Sequence, residues 1–280
     1  MHLGNVFGAL ISWLSVKSRG GEWLLRIEDI DPDRSRREYA DLLMDDLQWL
    51  GLQWDGEPVW QSRRLHIYEH YYRQLEAKGL TYPCYCTRND ILATQAPHES
   101  DGRVVYKGTC RHLPPQPGKP AAIRMVVPDN DVTFIDGHYG YQSVNLRRQV
   151  GDFIIRRKDG AWAYQLAVVV DDALTGVTEV VRGRDLLLSS PQQMYVARQL
   201  GFDTPSFIHF PLLCNENGQR LSKRDRSLDM ETLRGCYTAQ EIIGKLAYLA
   251  GLLPESLPVA PTELLSSFSW EKVPKDDIAI

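Results

Sequence analysis

His2 to Asn5 (HLGN) and Arg220 to Arg224 (RLSKR) are the two stretches on which the fold assignment depends. The first opens an apolar helical pattern, and a helix N-terminus offers unpaired N–H groups and partial positive charge to a phosphate. His2 adds a hydrogen-bond donor, and Gly4 lets a ligand approach the backbone. The second stretch places two arginines, a lysine and a serine in a polar loop, which suits a mobile phosphate clamp. Taken singly, each has an ordinary alternative, a helix cap or a solvated basic loop.

Between these two stretches the chain alternates between helical and strand patterns. The spacing of apolar residues predicts helices at 5–18, 35–50, 63–78, 191–200 and 238–252. Short apolar runs predict strands at 23–27, 153–156, 163–170 and 177–182. Helix, buried strand, helix is the order typical of an α/β domain with a parallel sheet. Asp171 and Asp172 follow one predicted strand, and we expect one of them to cap a helix or a loop.

The composition is that of an ordinary globular protein, with 280 residues, 43% hydrophobic and 24% charged. No apolar run approaches the ~18 residues that a membrane helix needs, so we expect no membrane association. The N-terminus lacks the basic start of a secretory signal, and a cytoplasmic location is therefore expected. The net charge of -4 gives no overall attraction to nucleic acid, although a local basic face can still bind phosphates.

Residues 80–150 differ in composition from the rest of the chain, and their prolines, glycines and a short alternating run at 122–127 predict an insertion with β character. Three of the cysteines lie in this segment. The total of five cysteines is odd, which argues against a disulfide framework. Cys84, Cys86 and Cys110 could supply three thiolates to a tetrahedral zinc ion. The alternative is three reduced thiols without a metal.

Together the two stretches resemble the paired HIGH and KMSKS signatures of class I aminoacyl-tRNA synthetases. Segments between them look like the glutamyl branch of that family: RIEDIDP at 26–32, WLGLQWD at 49–55, the Asp171–Asp172 pair and VRG at 181–183. The resemblance runs over essentially the whole chain. It implies a Rossmann-like catalytic domain with an inserted zinc-binding, acceptor-type subdomain. The implied division is 1–79 and 151–235 for the two catalytic halves, 80–150 for the insertion, and 236–280 for a short helical segment without an anticodon-binding domain.

The resemblance also assigns roles to individual residues. Glu28 would receive the α-amino group of glutamate, Tyr164 would line the pocket, and Arg182 would pair with a substrate carboxylate. Alternatively, Glu28 and Arg182 pair with each other or cap helices, and Tyr164 belongs to the core. The residues that resemble the family's catalytic pair are His2 and Lys223. The ATP-binding set that it implies, with Mg2+ on the triphosphate, comprises His2, Gly4, Asn5, Arg220, Leu221, Ser222, Lys223 and Arg224.

The cysteine cluster resembles the zinc site of a short branch of this family. That resemblance implies one structural Zn2+ per chain, held by Cys84, Cys86, Cys110 and Tyr106, whose spacing from Cys110 matches. His112 remains an alternative fourth ligand, because imidazole is intrinsically better at neutral pH than a phenol with a pKa of about 10.

Chain length also resembles the short branch, the glutamyl-queuosine tRNA(Asp) synthetases. The implied reaction forms glutamyl-adenylate from ATP and L-glutamate and transfers the glutamyl group to the queuosine base of tRNA(Asp). One alternative is a shortened glutamyl-tRNA synthetase that charges the 3′ end of tRNA(Glu). Others are a catalytically impaired RNA-binding paralogue and a plain nucleotidyltransferase, the last disfavoured by the glutamate-pocket residues. A monomer is expected.

The N-terminus departs from the family pattern. Relatives begin with a strand and a turn of the form Arg-Phe-Ala-Pro-Ser-Pro-x-Gly ahead of the histidine motif, whereas this sequence begins at the motif. We therefore expect a central strand and one glutamate-binding arginine to be missing, through either a misassigned start or a true truncation.

Overall fold

Helices and strands alternate along the chain in the computed structural model, which describes residues 1–31, 35–93, 105–216, 218–221 and 228–280. The α-helices are α1 (Leu3–Lys17), α2 (Arg37–Trp49), α3 (Leu65–Ala77), α4 (Arg88–Ala93), α5 (Leu146–Gln149), α6 (Tyr164–Leu174), α7 (Ser189–Leu200), α8 (Met230–Cys236) and α9 (Ala239–Leu249). The strands are β1 (Leu24–Ile27), β2 (Asp55–Trp60), β3 (Thr81–Cys84), β4 (Ala122–Met125), β5 (Asp131–Asp136), β6 (Gly140–Asn145), β7 (Ile154–Arg156), β8 (Glu179–Gly183), β9 (Ser206–Phe210), β10 (Leu213–Cys214) and β11 (Ile278–Ala279). All five predicted helices, and the strands predicted at 23–27, 153–156 and 177–182, are confirmed, with ends that differ by at most about three residues.

Helix α1 is buried along most of its length, as its apolar spacing predicts. Its side chains at Val6, Leu10, Ile11 and Leu14 are fully buried. The helix lies against β8, and the ring of Phe7 meets that of Phe210 edge to face at 5.7 Å between centroids. This packing anchors the start of α1, which carries the HLGN stretch, beside the end of β9.

One predicted strand is wrong. Residues 164–170 lie in α6 and not in a strand, and Ala163 is the N-cap of that helix. A continuous apolar run has no period that separates a buried strand from a helix buried on every side. The helix packs against α3 and α7, and its residues from Leu166 to Asp172 are all buried. Asp171 and Asp172 therefore belong to the last turns of a helix. Neither caps a helix or a loop, so that expectation is wrong as well.

The described structure has three parallel strand pairs, β1–β2, β8–β9 and the short pair β10–β11. β1 pairs with β2 in a register that places Ile27 opposite Trp60, and β8 pairs with β9 with Arg182 opposite His209. A cleft of about 640 Å3 separates β1 from β8, with α1 along one side. The expected strand ahead of α1 stays a prediction.

The segment that follows α3 is built from antiparallel strands, which confirms its β character. β4 pairs with both β3 and β7, so this small sheet continues from the segment into residues 154–156. β5 and β6 form a hairpin whose turn reaches β9, where Gly137 N donates to Phe207 O at 2.9 Å. A Cβ at Gly137 would lie 2.7 Å from the Ile208 side chain, so glycine permits this close approach. The domain boundaries stay predictions.

Two helices follow the RLSKR stretch, where the sequence predicts one. α8 starts beside α1, since Met230 N donates to Met1 O at 2.9 Å. α9 begins with a capping box in which Thr238 and Glu241 exchange side-chain and backbone hydrogen bonds. Among the described helices, none has both the length and the apolar character to cross a membrane.

Asp171 joins three parts of the fold through one buried carboxylate. Its oxygens accept from Gln61 Nε2 at 2.8 Å, Arg64 Nε at 2.6 Å and Tyr68 Oη at 2.8 Å. The Asp171 side chain is completely buried, and its three donors come from α3 and the turn before it. The carboxylate therefore ties α6 to α3.

We expect Asp171→Asn to lower the free energy of unfolding by roughly 3 kcal/mol, because the amide cannot accept all three bonds and leaves Arg64 without its counter-charge. Urea denaturation would measure the loss. The matched control is Asp129→Asn, since Asp129 pairs with Arg148 at the surface. The control should lose less than about 1 kcal/mol. Equal losses in the two variants would contradict this role for Asp171.

Candidate active site

The start of α1 forms one wall of a cavity. His2 is the N-cap residue in extended conformation, and its backbone N–H donates to Asn5 Oδ1 at 3.1 Å. A Cβ at Gly4 would lie 3.1 Å from Cε1 of the His2 ring. Any larger residue at this position would therefore press on the imidazole. Glycine therefore leaves room for the imidazole at the N-terminus of α1, where the helix dipole suits an anion.

The cavity, of about 300 Å3, brings together residues that are far apart in the sequence. His2, Gly4 and Asn5 line it from α1. The opposite side includes Arg182 at the end of β8, with Arg220 and Leu221 from the second stretch. The structure thus places the described parts of both stretches, and Arg182, around one space. Ser222, Lys223 and Arg224 lie outside the described residues.

Arg220 is held by an acidic neighbour in this cavity. Its guanidinium pairs with the carboxylate of Asp185, which follows β8 and also lines the cavity. The Arg220 side chain is still half exposed. It can therefore exchange its partner for a phosphate at small cost, because exposed ion pairs contribute little stability.

The Arg182 guanidinium is oriented by three side chains. Its Nη1 donates to Tyr164 Oη at 3.3 Å, its Nη2 to Ser190 Oγ at 2.8 Å, and its Nε to His209 Nε2 at 3.2 Å. Two of the three residues predicted for glutamate therefore lie side by side. Tyr164 is half-buried at the start of α6, and burial raises the pKa of its phenol, with Arg182 opposing.

Glu28 lies just beyond the end of β1, in the neighbouring cleft. It pairs with Arg26 at 3.6 Å, and Arg26 also binds the carboxylate of Asp172. The Glu28 partner is therefore Arg26, although a pair with Arg182 was the alternative. The Glu28 side chain is 45% exposed to the cleft, which leaves it accessible to a ligand. Burial raises the pKa of Asp172, and the adjacent Arg26 charge opposes that rise.

Three cysteines gather at the end of β3. The sulfur atoms of Cys84, Cys86 and Cys110 all lie within 4.8 Å of one another, with Cys86 and Cys110 at 3.5 Å. Sulfurs bonded tetrahedrally to zinc at ~2.3 Å lie ~3.8 Å apart, so this spacing fits such an ion. Burial opposes ionisation of Cys110, but a hydrogen bond from Tyr106 lowers its thiol pKa to about 7.

Tyr106 lies against the sulfur atoms. Its phenol oxygen is 3.4 Å from Cys84 Sγ and 3.6 Å from Cys86 Sγ, and it accepts from Cys110 N at 2.8 Å. His112, the other candidate for a fourth ligand, is exposed and does not belong to this group. The choice between them stays a prediction.

Comparison with known proteins places the chain in a family. Residues 1–259 match the family model of tRNA synthetases class I (E and Q), catalytic domain. The curated protein named glutamyl-Q tRNA(Asp) synthetase from Nitratidesulfovibrio vulgaris is 43% identical over 98% of this chain and 90% of its own length. The chain belongs to the class I tRNA synthetases, in the glutamyl-Q tRNA(Asp) synthetase branch. The relative of the same name from Symbiobacterium thermophilum is 42% identical over 100% of this chain and 92% of its own length. The one from Neisseria meningitidis is 42% identical over 99% of this chain and 95% of its own length.

Solved structures of the family share the fold. A glutamate tRNA ligase from Elizabethkingia meningosepticum, crystallised with its amino acid, superposes with a TM-score of 0.81 at 26% identity. The match covers all of this chain and 64% of that ligase. The glutamate-tRNA synthetase of Elizabethkingia anophelis gives a TM-score of 0.82 at 26% identity, again over all of this chain and 65% of that one. This member of the family thus spans slightly less than two thirds of either longer enzyme.

Sequence reasoning missed three residues that orient the family's expected glutamate-binding arginine. Ser190 and His209 contact Arg182 directly, and Asp136 contacts His209. Each belongs to a different element, and no local spacing connects them. A buried histidine inside the apolar strand SFIHF at 206–210 is the one signal in the sequence that could have drawn attention to this group.

Proposed function

We propose that this chain uses ATP to activate L-glutamate as glutamyl-adenylate and transfers the glutamyl group to the queuosine base of tRNA(Asp). One observation carries the proposal: the start of α1, the beginning of the RLSKR stretch and Arg182 line the same cavity. Phosphate-binding groups and a carboxylate-binding arginine within one space suit a reaction between ATP and an acidic amino acid. The curated relatives are named glutamyl-Q tRNA(Asp) synthetase, which supports tRNA(Asp) as the acceptor RNA.

Activation requires little covalent chemistry from the protein. The α-carboxylate of glutamate attacks the α-phosphorus of ATP, and the bond to the β,γ-pyrophosphate breaks as the mixed anhydride forms. Negative charge develops on the phosphate oxygens, so positioning and charge stabilisation supply the catalysis. We assign this role to His2 and the α1 N-terminus, together with Arg220 and Lys223.

Glutamate has two carboxylates, and the one that reacts with ATP determines which one is left for the protein to bind. The α-carboxylate must stay free to attack ATP, so Arg182 is assigned to the side-chain carboxylate. Three neighbours orient its guanidinium, and the remaining N–H groups can form charge-assisted bonds to an anion. We assign the α-amino group to Glu28 and one wall of the pocket to Tyr164. The positive charge of Arg182 would disfavour neutral and basic side chains in this pocket.

Two metal ions accompany the proposal. Mg2+ is assigned to the ATP triphosphate, where it would neutralise charge. Zn2+ is assigned to Cys84, Cys86 and Cys110, with Tyr106 as the fourth ligand. Its part would be structural, since these residues join β3 to the turn after residue 105. A monomer and a cytoplasmic location stay predictions.

The decisive experiment is ATP–pyrophosphate exchange with each amino acid in turn, without RNA and with tRNA. Glutamate alone should support exchange, and no RNA should be needed. Transfer of labelled glutamate is then compared between tRNA(Asp) with and without queuosine, and only the modified tRNA should be labelled. Exchange that strictly requires tRNA(Glu) would favour the shortened glutamyl-tRNA synthetase, and no exchange at all would favour the impaired paralogue.

Lys223→Ala should lower glutamate-dependent exchange by roughly a hundredfold or more, because one charged donor to the developing phosphate charge is lost. The rate is measured at saturating ATP and glutamate, together with the melting temperature, which should not change. Lys245→Ala is the matched control, since Lys245 is an exposed lysine on α9. An unchanged rate in Lys223→Ala would remove this lysine from the mechanism.

A further inference from the structure

Arg182 is connected to a buried carboxylate by way of His209. His209 Nδ1 lies 2.5 Å from Asp136 Oδ2, and the other ring nitrogen accepts from Arg182 Nε at 3.2 Å. The side chains of His209 and Asp136 are completely buried. The series Asp136, His209, Arg182 therefore runs from the interior to the cavity wall.

The protonation pattern along this series is determined by the arginine. A guanidinium N–H can only donate, so His209 Nε2 must accept, and the proton of a neutral ring must be on Nδ1, facing Asp136. Burial lowers the pKa of His209, and the nearby Arg182 charge acts in the same direction. Burial disfavours the Asp136 carboxylate, but hydrogen bonds from His209 and from the backbone of Tyr139 and His138 lower its pKa. A neutral imidazole thus connects an aspartate to the arginine.

Asp136 is itself held by the turn of the β5–β6 hairpin. Its Oδ1 accepts from His138 N at 3.0 Å and from Tyr139 N at 2.8 Å. The same turn pairs with β9 through Gly137, as described above. Two backbone N–H groups of its own hairpin thus hold Asp136, which belongs to the segment with β character and not to any of the parallel strand pairs.

Ser190, His209 and Asp136 also have the composition of a nucleophilic triad, but their geometry does not support that role. Ser190 Oγ accepts a hydrogen bond from Arg182 Nη2 and is fully buried, so no substrate carbonyl can reach it. A nucleophilic serine needs access to its substrate and a base ready to take its proton. His209 Nε2 lies 3.3 Å from Ser190 Oγ, but it also accepts from Arg182 Nε and is therefore not a free base for the serine.

We propose that Asp136 is a positioning residue for the amino-acid site, acting through the Nδ1–H tautomer of His209 to set the angle of the Arg182 guanidinium. This inference rests on the proposed function, since it takes Arg182 to bind the side-chain carboxylate of glutamate. It gives the segment with β character, residues 80–150, a part in the selection of the amino acid. Asp136→Asn would let the His209 ring take the other tautomer. Its Nε2 would then carry a proton and could no longer accept from Arg182 Nε.

The test is steady-state exchange with Asp136→Asn. We expect the KM for glutamate to rise by roughly ten- to a hundredfold, because a misplaced Arg182 guanidinium would bind the substrate carboxylate less well. The KM for ATP and kcat should change little. His209→Asn is the second variant, because its amide can still donate to Asp136 but cannot reach Arg182. It should give the same selective rise in KM. Asp131→Asn is the matched control, since Asp131 is an exposed aspartate on the same hairpin.

A double-mutant comparison separates positioning from general loss of structure. On an Arg182→Lys background, Asp136→Asn should raise the KM for glutamate by less than about threefold further, because both changes act on one contact. Absence of glutamate-dependent exchange in the unaltered protein would overturn the proposed function instead. If the unaltered protein supports glutamate-dependent exchange, and Asp136→Asn and His209→Asn both have the same KM for glutamate as the unaltered protein, that result would overturn the positioning role. Equal rises in the KM for ATP and glutamate, or multiplicative effects in the double variant, would also overturn it.

Discussion

Replacing Arg182 by alanine is expected to lower kcat/KM for glutamate by a factor on the order of 10² to 10³, through KM more than through kcat. Removing one partner of a hydrogen-bonded, partly buried charge pair costs about 2–5 kcal/mol, and a factor of 10² to 10³ corresponds to about 3–4 kcal/mol within that range. Three neighbours hold the guanidinium in place, so the loss should concern the substrate contact. Glutamate-dependent pyrophosphate exchange over a range of glutamate concentrations would measure it.

Arg184→Ala is the control for that variant. Arg184 lies two residues further along the chain, pairs with Asp277 at 2.7 Å and does not line the cavity. Its loss should leave the KM for glutamate unchanged within about twofold, since a surface ion pair contributes little. A normal KM in Arg182→Ala would show that another group binds the glutamate side chain, and the proposed pocket would then be wrong.

Cys86→Ser is expected to release zinc and to lower the free energy of unfolding by several kcal/mol. Binding of a structural metal contributes directly to folding free energy, and a hydroxyl is a poor zinc ligand beside thiolates. The unaltered protein should contain one zinc per chain. Elemental analysis after dialysis, followed by urea denaturation with and without a chelator, would measure both effects.

Cys236→Ser is the matched cysteine control, because Cys236 is exposed and lies outside the sulfur cluster. It should keep both its zinc and its stability. Tyr106→Phe and His112→Ala would identify the fourth ligand, since only the loss of a true ligand should weaken metal retention. A zinc content near zero in active protein would eliminate the structural metal and leave the cluster as three reduced thiols.

Much of the site was accessible from the sequence because its residues lie in short motifs. HLGN opens a helix, and that helix lines the cavity as the anion-binding argument requires. Arg182 and Tyr164 were expected in one pocket, and the structure brings them within hydrogen-bonding distance. The pairing of Arg220 with Asp185 was not accessible, because a salt bridge depends on where two loops meet in space.

The error at 163–170 has a similar cause. AYQLAVVV is rich in β-branched residues, which favour strands by local preference, yet the segment is helical because α3 and α7 surround it. Local propensity is a weak preference of well under 1 kcal/mol per residue, and burial of a whole apolar helix outweighs it. The two aspartates that follow therefore lie on a helix and bind Arg64 and Arg26.

For the family and its chemistry, the order of residues along the chain was enough, because each motif supports its function within a few residues. The arrangement around Arg182 required the folded molecule. Asp136, Ser190 and His209 come from a hairpin, a helix start and a strand, and long-range packing alone brings them into contact. Hydrogen bonds of this kind depend on distances of about 3 Å between distant segments, which no pattern in the sequence encodes locally.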